Sequence, residues 1–175
     1  MTPVWICLGS NLGDREGYLR EARRRMGACG LVEEAVSGLY ETVPFGLIEQ
    51  PPFVNQVVRG RWPADPLDLL ASLKGIEAGL GRGDGPRWGP RPIDLDILLF
   101  GEEGGGTLDD PRLRIPHEGL AERAFVLVPL ADVDPDLVLP GTGRTVSEHL
   151  RALEPWDGLV RSMAPSGASR PGPGT

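Results

Sequence analysis

The sequence is poor in the residues that build covalent or soft-metal frameworks. Two cysteines, Cys7 and Cys29, and two histidines stand among 175 residues. That supply excludes a disulfide scaffold and a zinc centre. Cys7 lies in an apolar run and reads as a small core residue. Lysine is almost missing, since Lys74 is the single one among 18 basic residues. Any phosphate or carboxylate recognition therefore falls to arginine, a planar bidentate donor. Basic charge is also in deficit, 18 against 25 acidic residues, for a net charge of −7. This balance argues against a general nucleic-acid binder or a ligand of acidic membranes. No apolar run approaches the length of a membrane span, and the N-terminus lacks a basic start followed by a long apolar stretch. A soluble, cytoplasmic chain without membrane or nucleic-acid partners is expected.

At this length one domain is the simplest organisation, spanning 1–163. Residues 164–175 are Pro, Gly, Ser and Ala without an apolar period, and a disordered tail is expected there. Residues 4–8 read as a first strand. A loop follows, Gly9-Ser10-Asn11-Leu12-Gly13-Asp14, with Asp14 as N-cap of a helix over 15–26. This loop lacks the spacing of a phosphate cradle, so a capped turn is the favoured reading. Residues 31–42 predict a second strand and 53–62 a third, antiparallel to it. Between them runs a long loop without regular period, of a kind that often binds ligands. Asn55 sits on the third strand, where its amide either faces solvent or pairs with a flat heterocycle; its spacing leaves both open.

Residues 66–80 carry helical spacing, with Asp65 as cap, Pro66 in the first turn and Gly81 as the stop. Glu77 lies close to the apolar stripe. Residues 81–91 then pack four glycines and three arginines into a loop that reads as mobile. A surface excursion over 102–110, a Pro-bounded turn over 112–117, a helix over 120–131, a short strand at 138–139 and a helix over 146–153 complete the chain. The order strand–helix–strand–strand–helix–strand predicts an α+β fold: a ferredoxin-like antiparallel sheet with helices on one face, the active site on the other, and C-terminal additions.

The loop over 81–91 feeds directly into the apolar run 93–100, a buried strand by its length and borders. Alternation along it turns Ile93, Leu95, Ile97 and Leu99 one way, and Asp94, Asp96, Leu98 and Phe100 the other. Two carboxylates on one face, about 7 Å apart along the strand, are costly unless something cationic meets them. That partner is either an arginine or a hard divalent ion such as Mg²⁺, which takes oxygen ligands and often holds substrate phosphates. With Arg82, Arg87, Arg91, Arg112, Arg114 and Arg123 available, the pattern suggests phosphoryl or pyrophosphoryl transfer, where positioning and charge neutralisation carry the catalysis. A non-catalytic ligand-sensing domain of the same shape is the alternative.

The run Arg87-Trp88-Gly89-Pro90-Arg91-Pro92-Ile93-Asp94-Leu95-Asp96-Ile97-Leu98 resembles the signature of the 6-hydroxymethyl-7,8-dihydropterin pyrophosphokinases of folate biosynthesis. The likeness extends through Leu8-Gly9-Ser10-Asn11-Leu12-Gly13, Tyr40-Glu41-Thr42, Phe53-Val54-Asn55, Ile115-Pro116-His117 and Glu122-Arg123-Ala124-Phe125, in order along the chain. The resemblance implies an enzyme, a monomer, that moves pyrophosphate from ATP to the hydroxymethyl group of the pterin and releases AMP. It implies that Asp94 and Asp96 hold two Mg²⁺ ions and are catalytic together with Arg82 and Arg91. It places the pterin between Phe53 and Phe125, read by Asn55 and by Thr42, Pro44 and Phe45, under Trp88. It assigns Glu77, Arg82, Arg91, Arg112, Arg114, His117 and Arg123 to ATP. Phe53 stands where some relatives carry tyrosine, and Glu118-Gly119 follows His117 where relatives often have Pro-Arg or an aromatic.

Overall fold

β1 (Thr2–Ser10) is buried along nearly its whole length, which explains its unbroken apolar run: both of its faces are covered. The computed structural model describes residues 1–42, 50–81, 91–156 and 160–163. The expectations placed on the loops at 43–49 and 82–90, and on the tail 164–175, lie outside the described residues. After β1, the Asp14 carboxylate accepts from the Gly17 N–H at 3.1 Å and caps α1 (Arg15–Ala28). α1 buries Leu19, Ala22 and Met26.

The stretch expected as one second strand is two, β2 (Val32–Val36) and β3 (Leu39–Thr42). Both pair antiparallel with β4 (Phe53–Trp62), whose bounds match the expectation. The break falls at Ser37 and Gly38. The Ser37 N–H donates to the Val57 carbonyl and its hydroxyl accepts from the Val57 N–H, both at 2.9 Å, a local substitute for the ladder. Asp65 then caps α2 (Pro66–Gly79) by accepting from the Leu67 and Asp68 N–H groups at 2.8 and 3.0 Å. β5 (Asp94–Phe100) follows.

The strands form an antiparallel sheet in the order β5-β1-β4-β3, with β2 also on β4. β4 therefore lies between β1 and the strands that follow α1, the split β-α-β path. The excursion at 102–110 and the turn at 112–117 contain a hairpin, β6 (Leu108–Asp110) and β7 (Leu113–Ile115). The helix expected over 120–131 is a short turn, Leu120–Glu122, then extended Arg123, then α3 (Ala124–Val133). At 138–139 there is a single bridge, Val138 with Thr145, ahead of α4 (Val146–Ala152). An unforeseen strand, β8 (Val160–Met163), extends the sheet by pairing with β3. No helix among the described residues is long and apolar enough to cross a membrane.

One face of the sheet packs on α1 and α2, joining Val4, Ile6, Leu8, Val54, Val58, Ile93, Leu95 and Ile97 to Leu19, Met26, Leu69 and Leu73. The other face is divided. Its lower part is covered by the C-terminal additions, where Trp5, Cys7, Val57, Leu98 and Leu99 meet Val126, Leu127 and Leu130 of α3 and Val146 of α4. The expected alternation of β5 holds only to Ile97. Ile6 pairs with Ile97 and Trp5 with Leu99, so Leu98 is an extra residue, a bulge. Past it the facing is reversed: Leu99 joins the α3 side and Phe100 the α1/α2 side.

Candidate functional site

Strand register brings the site together at the end of the divided face that α3 leaves clear. A row of paired residues crosses three strands there: Asp94 of β5 opposite Gly9 of β1, and Gly9 opposite Asn55 of β4. Neighbouring strands lie about 4.8 Å apart, which sets the backbones of Asp94 and Asn55 about 10 Å apart across the glycine. Gly9 carries no side chain into that gap. A Cβ there would stand 3.0 Å from Asn55 Oδ1 and 3.6 Å from Phe53 Cδ1. The result is a floor bordered by a carboxylate on one side and an amide on the other.

On the amide side, Asn55 is buried and its Nδ2 donates to Thr42 Oγ1 at 2.7 Å. The solvent-facing reading is thereby overturned: the amide points inward and has a protein partner. Thr42 and Phe53 face each other in the β3–β4 register, so the aromatic ring, the hydroxyl and the amide sit on adjacent positions. Phe53 is half-buried. Behind them Tyr40 donates to Asp132 Oδ2 at 2.6 Å, which ties β3 to α3. Burial, then that carboxylate, pushes the Tyr40 phenol up to about 12.

On the carboxylate side, Asp94 and Asp96 share one face at the start of β5, both on the partly open side of an otherwise buried strand. Arg91 Nη1 lies 3.5 Å from Asp94 Oδ1. His117 Nε2 lies 4.0 Å from Asp96 Oδ1, and the Asp96 side chain is 46% exposed. His117 is held by its own N–H, which donates to the Leu98 carbonyl at 2.9 Å. Cys7 is the β1 partner of Asp96. Burial pushes its thiol well above the usual range, and the Asp96 and Asp94 charges add to this. A neutral thiol is neither nucleophile nor ligand, in keeping with a core role.

Beyond Asp96 a cleft of about 1190 Å³ opens between β5 and the β6–β7 hairpin, lined among others by Lys74, Arg112, Arg114, His117 and Arg123. Arg112 grips Asp110 through two hydrogen bonds of 2.9 and 3.0 Å. Arg114 lies 3.3 Å from Asp109 and 3.9 Å from Glu118. The Arg123 guanidinium stands 6.0 Å over the Phe125 ring. Gly119 adopts a left-handed φ of 77°, and a Cβ on it would come within 3.1 Å of Arg123 Nε. The absence of a side chain at Gly119 thus leaves room for the Arg123 guanidinium.

Of the residues named from the sequence, Asp94, Asp96, Arg91, Thr42, Phe53 and Asn55 lie on or beside the strand row, and Arg112, Arg114, His117 and Arg123 line the cleft. Phe125 starts α3 beside Arg123. Glu77 is buried on α2 with Lys74 Nζ 3.7 Å away, and is not among the residues lining the cleft. Pro44, Phe45, Arg82 and Trp88 lie outside the described residues. Gly9, read from the sequence as the start of a loop, belongs to β1, which runs to Ser10; its place between Asp94 and Asn55 follows from strand register. Chemically, the arrangement can hold a flat neutral ring against Phe53 and the Asn55 amide, and a polyanion along the arginines.

A family model described as 7,8-dihydro-6-hydroxymethylpterin-pyrophosphokinase (HPPK) matches residues 5–135. The chain is 47% identical over 161 residues to the 2-amino-4-hydroxy-6-hydroxymethyldihydropteridine pyrophosphokinase of Pseudomonas aeruginosa, covering 90% of this chain and 95% of that one. It is 48% identical over 130 residues to a mitochondrial folate synthesis bifunctional protein of Arabidopsis thaliana, 74% of this chain but 23% of that protein. Among solved structures, Plasmodium falciparum HPPK-DHPS with pteroate superposes with a TM-score of 0.69 at 18% identity. That match covers 90% of this chain and 43% of the other, so this chain spans less than half of such bifunctional proteins. At that identity the likeness supports the fold alone.

Proposed function

Because this chain belongs to the 7,8-dihydro-6-hydroxymethylpterin-pyrophosphokinase (HPPK) family, we propose that it transfers pyrophosphate from ATP to the hydroxymethyl group of 6-hydroxymethyl-7,8-dihydropterin in folate synthesis. The hydroxymethyl oxygen bonds to the β-phosphorus, the bond from that phosphorus to the bridging oxygen of the α-phosphate breaks, AMP leaves, and the hydroxyl proton is released. The observation that carries this reading is the row Asp94–Gly9–Asn55, an acid and an amide on either side of a residue that carries no side chain. The amide with Thr42 suits the edge of a pterin, and Phe53 with Phe125 its faces. The cleft arginines and His117 suit the triphosphate. Arg91, beside Asp94, stands where the two ligands would meet, and Glu77 lies behind on α2.

The acids also fit Mg²⁺. Among the described residues no three His, Cys, Asp or Glu side chains form a cage, whereas Mg²⁺ is commonly held by one or two carboxylates, with phosphate oxygens and water completing its shell. Asp94 and Asp96 supply such a hard, half-exposed pair, and they would hold two ions. Bound there, the metal would neutralise phosphate charge. In this reading the protein is a cytoplasmic monomer whose partners are ATP and the pterin, with no part for nucleic acid or membrane; its net charge of −7 supports the latter.

Following nucleotides by chromatography tests the reading. AMP should accumulate from ATP only when the hydroxymethyl pterin and Mg²⁺ are both present. ADP as product would make the enzyme an ordinary kinase, and pterin binding without turnover would make it a sensing module.

A further inference from the structure

Asn11 takes no part in the chemistry above, yet its amide is fully committed inside the site's frame. The residue is completely buried just past β1. Its Nδ2 donates to Gln50 Oε1 at 3.0 Å and to the Pro51 carbonyl at 3.2 Å. Its Oδ1 accepts from the Arg91 N–H at 2.7 Å, and its own N–H donates to the Arg91 carbonyl at 3.1 Å. The backbone groups fix which way the amide points. A carbonyl at Pro51 demands a donor and an N–H at Arg91 demands an acceptor, so only one orientation satisfies both.

The two sides served by this amide are the starts of the two strands that carry the site. Gln50 and Pro51 lead into Phe53 and Asn55 on β4, and Arg91 leads into Asp94 and Asp96 on β5. Arg15 braces the first side again, since its Nη1 donates to the Pro52 carbonyl at 2.8 Å and pairs with Glu41 at 3.0 Å. A capped turn needs no such division. An asparagine that only shaped a turn could sit in solvent, whereas burying an amide is costly unless its donors and its acceptor find partners.

We propose that Asn11 is a positioning residue: its side-chain amide fixes the ring-binding start of β4 relative to the carboxylate-bearing start of β5. The proposal rests on the reaction assigned above. Two substitutions separate the two halves of the amide. Asn11→Asp keeps an acceptor for the Arg91 N–H but turns an oxygen toward the Pro51 carbonyl. Asn11→Ala removes both.

The Gln50 amide can turn to donate to the new oxygen, so Asn11→Asp loses chiefly the bond to Pro51; its expected result is a KM for the pterin raised about tenfold, with the KM for ATP within about twofold of wild type. Asn11→Ala should raise both KM values and lower kcat about tenfold. Titration of the pterin by tryptophan fluorescence, without ATP or metal, should show the weaker ring binding of both variants independently of turnover. If both variants shift the two KM values equally, or if they only lower the melting temperature and leave the constants of the folded protein alone, the proposal is overturned. Should either fail to fold, Gln50→Leu removes a partner on the β4 side alone. It should raise the pterin KM a few-fold and spare that for ATP, and an unchanged pterin KM there would be equally decisive against the anchor. Wild-type turnover is measured first. Its absence would overturn the reaction and the substrate assignment with it, whereas wild-type turnover with unshifted variants would overturn the anchor alone.

Discussion

The two faces of the sheet are cut from the same strands and do different work. On the α1/α2 face, β1, β4 and β5 offer Ile6, Leu8, Val54, Val58, Leu95 and Ile97, which are at most 2% exposed, to two helices. On the opposite face the intervening positions of the same strands form an apolar cluster where α3 covers them. Beyond α3's reach they become Gly9, Asn55, Asp94 and Asp96. Because side chains alternate along a strand, the residues that hold the fold and those proposed to meet the ligands are chain neighbours with opposite outlooks. Stability and chemistry should therefore separate under mutation, even between adjacent positions.

The hardest test of that separation is Asp96→Ala, with Asp94→Ala beside it. Removing a preorganised charge from a site of this kind should cost about a hundredfold to a thousandfold in turnover. The carboxylate of Asp96 is 46% exposed, so its loss should leave the thermal midpoint within a few degrees of wild type. AMP formation and a melting curve on the same sample give both numbers. A variant that unfolds, or one that keeps full activity, would break the comparison from one side or the other.

The converse substitution is Leu73→Ala on α2. Leu73 is 1% exposed in the α1/α2 core, and such a truncation costs about 2–5 kcal/mol, the lost transfer energy plus a residual cavity. Denaturant titration should show the midpoint falling by that amount at unchanged slope. Activity per folded molecule should stay within about twofold of wild type, because the cavity lies behind the sheet from the site. A parallel fall in turnover would mean that the sheet transmits the defect from one face to the other.

What could be read from the sequence follows the same division. Caps and periods are local, so Asp14, Asp65, the span of β4 and the apolar face of α2 were legible. The carboxylate pair on β5 was legible too, because a polar interruption of an apolar strand shows in any window. The bulge at Leu98 was not: it depends on how β1 and β5 are paired, and it turns Leu99 and Phe100 opposite to simple alternation. Nor was β8, four residues whose strand character comes from pairing with β3 and from the Arg161–Glu41 pair at 3.0 Å rather than from any period. Gly9 and Asn11 belong to that class. Their significance lies in partners 39 to 85 positions away, which neither propensity nor spacing reveals.

The smallest effect should come from titrating groups away from the Asp94–Gly9–Asn55 row. The Glu21 carboxyl is held down to about 2 by hydrogen bonds from Arg24 and Arg25, and the Asp110 carboxyl to about 2 by Arg112. A group held low stabilises the fold above its ordinary value, near 4, and that contribution is lost as the pH falls from there through about 2. Tyr40 runs the other way. Raised to about 12 by burial and by Asp132, it contributes fully below about 10, its ordinary value, and the contribution is lost as the pH rises through about 12. Melting curves across the pH range should therefore show a shallower acid slope in Glu21→Gln and in Asp110→Asn, and a shallower alkaline slope in Tyr40→Phe. High salt should weaken the acid effect, since both carboxylates are paired at the surface where ions screen them. It should act less on the alkaline one, where burial is the larger cause and the half-buried phenol donates to Asp132. Equal salt sensitivity on the two limbs would place Tyr40 with the surface charges instead of with the site face.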